Sequence, residues 1–572
     1  MGIIDTIVII AFSLLILLIG LSFSKRSSGD MLSFFAAGGA VPWWINSLSL
    51  FMGFVSASTF VVWGSIAYSS GWVAITIQWA MSVAGLMTGL FISPKWHKTK
   101  SLTAAEYICY RLGVRTQKTY SYFYLGIMVF LKGVCLYAVA IILQVTTGIS
   151  LYWWVGLLGI IVIFYTTFGG LWAVVVTDVL QFIILISAGL ILLPLSFDKV
   201  GGMTGFVNAI NAQHLTDFFT LSSSKYTISF LLGFLFYNVF YLGGQWSFVQ
   251  RYTSVASPKE ARKVPFLFGA FYVFAPVIWM LPPMLYRAIK PIPAELLLPE
   301  HATELVKLSE QAYMQMAQTV LPAGMLGLIT ISLIFATNSS VQGFLNISAG
   351  VITNDLFKAI YPKSTEKTLM RVARTATLVV GLIVIGMGML IPLMGGATNV
   401  ILSVASITGG AMYLPVIWTL FSKRQNSNTV LGATIASLII SLGYKFLLPA
   451  ITGEALSTAA SMVMGVVVPV SIIALLEIWL AVRKQNTTEF DKYQIYLSEK
   501  TETESVAPDT SAESESENQF GKRMIGIGIL VTGSIIGILG IISPAGRIYV
   551  ITTSVVLLAI GLRIFLSTIK KK

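Results

Sequence analysis

The sequence predicts an all-α polytopic membrane protein. Of its 572 residues, 56% are hydrophobic and only 11% are charged, whereas a soluble domain carries about 25% charged residues. About fifteen apolar segments are each close to the roughly 20 residues that cross a bilayer as a helix. The net charge of +13 does not indicate nucleic-acid binding, because Lys and Arg lie mainly in short loops between these segments.

The segments follow one another along most of the chain. We predict spans near residues 3–22, 43–68, 72–94, 119–147, 150–168, 174–196, 227–244, 264–286, 322–350, 375–394, 399–421, 428–449, 457–482, 524–542 and 547–568. The first ends in LSFSKRSSGD, with its basic residues after the apolar run and no small-residue cleavage site. It is therefore interpreted as a retained helix and not as a signal peptide.

Charge in the loops predicts the orientation. Basic residues cluster in every second loop, for example within 95–118, 251–263 and 358–371, whereas 295–310 is acidic. Because cytoplasmic loops carry the excess of Lys and Arg, the N-terminus is expected outside and the C-terminus in the cytoplasm. We expect a multi-pass protein of the cell membrane, with the lipid bilayer as its main partner.

One polar segment interrupts the apolar pattern. Residues 485–520, which end in TETESVAPDTSAESESENQF, are acidic and Ser-rich. Such a composition cannot bury enough apolar surface to fold alone. We expect a disordered cytoplasmic linker that tethers the two C-terminal helices of 521–572.

Two spans contain polar runs, NSLSLFMGFVSASTF (46–60) and ATNSSVQGFLN (336–346). Polar groups and Gly are tolerated in a membrane where the backbone lines a cavity, and broken helices form ion and substrate sites in secondary transporters. The alternative is that small residues let the helices pack closely. Two such stretches, far apart in the chain, favour two broken helices and a site between them.

The second run suits a monovalent cation. Ser339 and Ser340 are adjacent, and the carbonyl of Ala336 lies one turn earlier. A hard cation such as Na⁺ takes neutral oxygen ligands, so an ion at the helix edge could meet all three groups. The ordinary alternative is that the hydroxyls bond back to the preceding turn.

Four motifs in order resemble the sodium/solute symporter family: SLTAAEYICYRLG (101–113), FGGLWAVVVTDVLQ (168–181), GQWSFVQRYTS (244–254, with Gly244 where the family usually has Asn) and ATNSSVQGFLNISAGVITNDLFK (336–358). The resemblance covers about residues 1–480. It implies a LeuT-like core of two inverted five-helix repeats, placed at 43–196 and 227–421. Residues 1–42 would then precede this transport core of 43–421, and the helices of 422–484 would be peripheral.

The resemblance also implies the ion site. The sodium ligands would be the backbone carbonyls of Met52, Val55 and Ala336 and the hydroxyls of Ser339 and Ser340. Asp178 matches an acidic residue on the inward release path; the alternative is that it caps its helix. Family members with a second sodium site carry hydroxyls where this chain has Gln342 and Gly343, so one Na⁺ per solute is expected.

The solute site is implied in the same way. It would be lined by Ser56, Ser58, Thr59, Gln78 and Gln245. Lys132 lies mid-span, where a cation is costly and usually faces the bundle interior, so it could bind a substrate carboxylate. It could instead snorkel to the interface or pair with an interior acid. A carboxylate-bearing solute is the first hypothesis and a sugar is the second.

The predicted function is sodium-coupled import of a small organic solute, for which a monomer suffices, with an oligomer as the alternative. A solute sensor would carry a long soluble region after the bundle, and a channel would not require sodium in fixed proportion. An enzyme is not indicated, because the sequence shows no nucleophile–base pair or metal-ligand spacing. The expected partners are therefore the solute, Na⁺ and lipid.

Overall fold

The structure is a computed structural model that describes residues 1–24, 41–101, 103–165, 171–361, 363–483, 488–506, 511–543 and 546–569. Within this part every regular element is a helix. The main helices are α1 Ile3–Ser24, α2 Trp43–Phe54, α3 Thr59–Ser70, α4 Val73–Lys98, α5 Ala104–Leu112, α6 Val114–Thr147, α7 Leu151–Tyr165, α8 Leu171–Val200, α9 Gly202–Ala212, α10 Ile228–Gly244, α11 Trp246–Thr253, α12 Pro258–Ile289, α13 Ala302–Val320, α14 Met325–Gly350, α15 Glu366–Leu390, α16 Gly396–Thr419, α17 Ser427–Thr452, α18 Thr458–Val482, α19 Thr488–Val506, α20 Ser511–Ile542 and α21 Arg547–Ile569.

The helices confirm a membrane-spanning bundle. In the described residues, 12 helices are long and apolar enough to cross a bilayer, or up to 14 if each of two bent pairs counts as one span. Leu151–Ile163 is a shorter apolar helix. Each predicted segment falls on one of these helices or pairs, because runs of about 20 apolar residues have few other ways to satisfy their backbone.

The two bent pairs interrupt the bundle. Helices α2 and α3 meet at 62°, and α10 and α11 meet at 60°. The first break lies at Val55, whose backbone is extended (φ −87°, ψ 138°). The second lies at Gln245, also extended (φ −67°, ψ 127°). The sequence anticipates the first break and misses the second.

The prediction of a broken helix at 336–346 is wrong. This run lies inside α14, which is continuous from Met325 to Gly350. The run contains no Pro, and its small polar side chains reach neighbouring helices without disturbing the backbone. Its polarity therefore reflects contacts across the bundle.

Helix α1 is fixed to the start of α14. Asp5 Oδ1 accepts the amides of Gly324 at 2.7 Å and Gly327 at 3.0 Å. These donors are among those that a helix N-terminus leaves unpaired. A Cβ on Gly327 would lie 2.4 Å from the carbonyl oxygen of Asp5, so the close approach of the two helices requires glycine.

The structure contains helices where the sequence predicts a disordered linker. Residues 488–506 form α19, and α20 begins at Ser511, before the predicted boundary at 521. Tyr496 stacks on Tyr110 of α5 with ring centroids 3.8 Å apart, and Lys500 Nζ lies 3.0 Å from Glu106 Oε1. The prediction of disorder rests on the overall acidic composition. It does not take account of the four-residue spacing that places Tyr496 and Lys500 on one face of the helix.

A candidate ion and solute site

The break between α2 and α3 removes the usual donors of two backbone carbonyls. In a continuous helix, the amides of Ser56 and Thr59 would donate to the carbonyls of Met52 and Val55. Here Ser56 N donates to Thr59 Oγ1 at 3.2 Å, and Thr59 N donates to Ser56 O at 2.9 Å. Met52 and Val55 are fully buried. Their carbonyl oxygens can therefore serve a cation, as in other broken membrane helices.

Thr337 joins this break to α14. The amide of Ala57, which a continuous helix would direct at Gly53, donates instead to Thr337 Oγ1 at 2.9 Å. Thr337 is buried. The bond places the break against the polar run that starts at Ala336. The sequence interpretation assigned no role to Thr337, although the hydroxyl lies within the run that it examined.

Asp178 of α8 contacts side chains of three other helices. Ser339 donates to its Oδ1 at 2.8 Å, and Ser49 of α2 donates to its Oδ2 at 2.7 Å. Arg251 Nε in turn donates to Ser49 Oγ at 2.9 Å, and Arg251 Nη2 lies 3.9 Å from Oδ2. Both carboxylate oxygens accept from side chains of other helices, so the alternative of a simple cap of α8 is not supported. The sequence interpretation did not anticipate Ser49 or Arg251 as partners.

Lys132 lies at the other predicted serine. Its Nζ donates to Ser340 Oγ at 2.7 Å, and the side chain is buried. It does not snorkel to the interface, and no carboxylate of the described residues forms an ion pair with it. An ammonium group thus contacts a hydroxyl that the sequence assigns to sodium.

Two predicted solute residues meet beside Cys135 of α6. The hydroxyls of Ser56 and Ser58 lie 2.6 Å apart, and Cys135 Sγ lies 3.7 Å and 4.0 Å from them. Cys135 follows Lys132 by three positions and therefore shares its face of α6. Thr59 shapes the break through its hydroxyl, as described above. Cys135 is a further residue that sequence interpretation missed, because thiols carry no pattern for solute binding.

The two predicted glutamines occupy different surroundings. Gln78 is fully buried, and neither its Oε1 nor its Nε2 has a hydrogen-bond partner. Gln245 is the N-cap of α11, and its Oε1 accepts from the amide and the hydroxyl of Ser247. Its Nε2 donates to Tyr124 at 3.4 Å. Within the described residues, neither glutamine bonds to the serine pair. Because buried amides are normally paired, Gln78 is a candidate for contact with a polar solute.

A bundle of membrane-spanning helices with a buried site at a helix break is the architecture of a secondary transporter. The profile described as "Sodium:solute symporter family" matches residues 34–440. The chain belongs to this family. The predicted resemblance is confirmed, and the protein is a multi-pass membrane transporter.

Relatives cover most of the chain. It is 26% identical to the sodium/glucose cotransporter of Vibrio parahaemolyticus over 475 residues, which are 78% of this chain and 85% of the relative. It is 26% identical to the sodium/sialic acid symporter NanT of Aliivibrio fischeri, over 76% of this chain and 86% of the relative. It is 28% identical to the human sodium/myo-inositol cotransporter 2, over 77% of this chain and 69% of the relative.

A solved structure shares the fold. It is described as the substrate-bound outward-open state of a Na⁺-coupled sialic acid symporter, and it matches with a TM-score of 0.68 at 24% identity. The match covers 83% of this chain and 98% of that one. The LeuT-like fold expected from the sequence is therefore confirmed.

Proposed function

We propose that the protein imports a small carboxylate-bearing solute together with one Na⁺. The observation that carries this proposal is the helix break, where the carbonyls of Met52 and Val55 lose their helical donors beside the polar run of α14. Neutral oxygens of this kind suit a hard monovalent cation. In the described residues no group of three His, Cys, Asp or Glu could hold another metal.

Sodium would bind where the break meets α14. The carbonyls of Met52, Val55 and Ala336 and the hydroxyls of Ser339 and Ser340 would be its ligands. Ser339 would turn one lone pair to the ion while it still donates to Asp178. Asp178 would then be the next oxygen group on the way inward, in keeping with a role in sodium release.

Lys132 would link the ion to the solute. Sodium at Ser340 would displace the ammonium group, which would then face Cys135 and the pair of Ser56 and Ser58. A solute carboxylate there would pair with the released ammonium, because a buried cation without a counterion is costly. Each ligand would therefore favour the binding of the other.

The resemblance to the family supports one sodium per solute, because members with a second sodium site carry hydroxyls at two positions that follow the serine pair. Gln342 and Gly343 supply no hydroxyl there. With a monoanionic solute, one Na⁺ moves no net charge, so the energy comes from the sodium gradient; with a neutral solute the membrane potential would add about 2.3 kcal/mol per 100 mV. This energy supports accumulation of the solute without ATP.

Uptake into proteoliposomes tests the proposal. We would compare labelled short carboxylates, pantothenate, amino acids, sugars and sialic acid, each with and without an inward Na⁺ gradient. Sodium-dependent uptake of a carboxylate, lost in the Ser339→Ala/Ser340→Ala double variant, is expected. Uptake that ignores sodium, with the double variant equal to wild type, would contradict the ion site.

Sugar transport is the second candidate. The unpartnered amide of Gln78 suits a sugar hydroxyl, and two of the relatives named above are cotransporters of glucose and myo-inositol. The same uptake panel separates the two hypotheses. Under the sugar hypothesis, Gln78→Ala abolishes uptake of a neutral sugar and Lys132→Gln leaves its affinity within twofold.

A further inference from the structure

One end of the bundle, predicted to face outward, contains two adjacent cavities of about 510 Å³ and about 460 Å³. They share part of their lining, including Lys225, Gly395 and Asn399. Both lie within the usual size range of small-molecule pockets. Neither includes a residue of the candidate ion and solute site among its described lining residues.

The charged side chains of this lining are all basic. The basic residues among the described lining residues are Lys225, Arg287, Lys307 and Lys445, and none of these lining residues is Asp or Glu. The buried carboxylate nearest in the fold is Glu310, which accepts from the amide of Ala397 and from Tyr137 OH. These donors are neutral and leave the carboxylate's charge in place, and Glu310 Oε1 also lies 3.4 Å from the amide of Thr398. The four basic lining residues outnumber this one carboxylate, so the cavities carry a net positive potential.

Arg287 is the buried member of this basic set, and no carboxylate of the described residues forms an ion pair with it. Its side chain is 6% exposed, and its Nε donates to Gln213 Oε1 at 3.0 Å. Its guanidinium lies 5.7 Å from the ring of Tyr68. Nη1 is buried without a hydrogen-bond partner. Leaving a buried charged donor unpaired costs more than leaving a neutral one, so this group indicates a ligand.

A second buried polar atom without a partner belongs to another residue of the same lining. Thr398 Oγ1 is buried without a partner. A hydroxyl and a guanidinium can together donate to the two oxygens of a carboxylate, and Arg is the side chain best suited to that planar group. The lysines, which are exposed or half-buried, would add attraction over a longer range.

We propose that the cavity lined by Arg287 and Thr398 is a second binding site, which holds small organic carboxylates without sodium. Arg287 is its central anion-binding residue, and Lys225 and Lys445 raise the local concentration of the anion. Its role in delivering solute to the inner site rests on the proposed function. The binding itself does not, because it needs neither Ser340 nor Lys132.

Binding to the purified full-length protein in sodium-free buffer tests this site. The probes are gluconate, succinate and propanoate, each compared with a neutral alcohol of equal chain length: sorbitol, butane-1,4-diol and propan-1-ol. Ionic strength is held constant with chloride. At least one carboxylate is expected to bind at least tenfold more tightly than its neutral counterpart, and Arg287→Gln is expected to weaken it at least tenfold.

Two further variants guard against a folding defect. Arg287→Lys keeps the charge and should retain part of the affinity, whereas Lys225→Glu alters an exposed side chain and should weaken binding severalfold. Lys132→Gln, in the inner site, should bind the probe as wild type does. Equal binding of carboxylate and alcohol, no binding of any carboxylate, or wild-type affinity in both Arg287→Gln and Lys225→Glu would overturn the proposal. Failure of sodium-driven uptake would leave this result unchanged, so the two proposals fail separately.

Discussion

At the scale of single residues, the buried charges of Asp178 and Lys132 have different surroundings. Asp178 accepts from Ser49 and Ser339 and lies near Arg251. Among the described residues, the ammonium group of Lys132 has only the hydroxyl of Ser340 as a hydrogen-bond partner. A buried charge with a weaker set of partners moves at lower cost. Lys132 is therefore the group that we expect to change position when an ion binds.

Lys132→Gln should raise the affinity for sodium. Without the ammonium group, Ser340 no longer has a competing cation, and the repulsion between two nearby positive charges disappears. We expect equilibrium binding of ²²Na⁺ to the purified protein to tighten about tenfold, or ~1.4 kcal/mol, while carboxylate uptake is lost. Lys118→Gln, near the start of the same helix, is the matched control. Unchanged or weaker sodium binding in Lys132→Gln would show that the ammonium does not compete with the ion.

At the scale of helices, the contact between α1 and α14 is tightly constrained. Gly327→Ala would place a Cβ against the backbone of Asp5, which cannot yield without moving a helix. We expect a loss of roughly 1–3 kcal/mol, seen as a lower melting temperature of the purified protein.

Gly350→Ala in the same helix is the control for that variant. Nothing lies within 4 Å of a Cβ at Gly350, and alanine favours a helix by up to about 1 kcal/mol over glycine. Its melting temperature should equal or exceed that of wild type. If both variants melted alike, the approach of α1 to α14 would be looser than the structure indicates.

The helices also show how far the sequence predicts the fold. Span positions follow from apolar length, and the first break follows from the polar residues and Gly of 46–60. The bonds of Ala57 to Thr337 and of Lys132 to Ser340 join residues more than 200 positions apart. No local pattern contains such pairs. We counted Arg251 with the loop charges, but it lies in α11 and is only 8% exposed. Asp178, which is distant in sequence, stabilises its buried charge.

At the scale of the whole molecule, Glu310 ties three helices together. It lies on α13, accepts from Tyr137 of α6 at 2.8 Å, and accepts from the amide of Ala397 at the start of α16 at 2.7 Å. Burial raises the pKa of the Glu310 carboxyl from 4.5 to about 7, against the opposing effect of these hydrogen bonds. The folded protein therefore holds a proton on Glu310 that the unfolded chain has released between these pH values.

The pH profile of stability should show this proton. The stabilising contribution of the Glu310 proton to the free energy of unfolding is full below about pH 4.5 and is lost as the pH rises through about 7. Glu310→Gln should flatten this part of the melting-temperature profile, because its amide does not titrate. Glu304→Gln, an exposed position on the same helix, should retain the wild-type slope. A slope in this window that persists in Glu310→Gln would assign the proton to another group.

The thiol of Cys135 gives the transporter a chemical reporter of its own. The chain has two cysteines, so Cys109→Ser leaves one thiol, 3.7 Å from the hydroxyl of Ser56. A small thiol reagent that modifies it must enter the pocket from one side of the membrane or the other. The rate of modification, with reagent added to each side in turn, would report which face the pocket opens to and how sodium changes that exposure, even before the solute is identified.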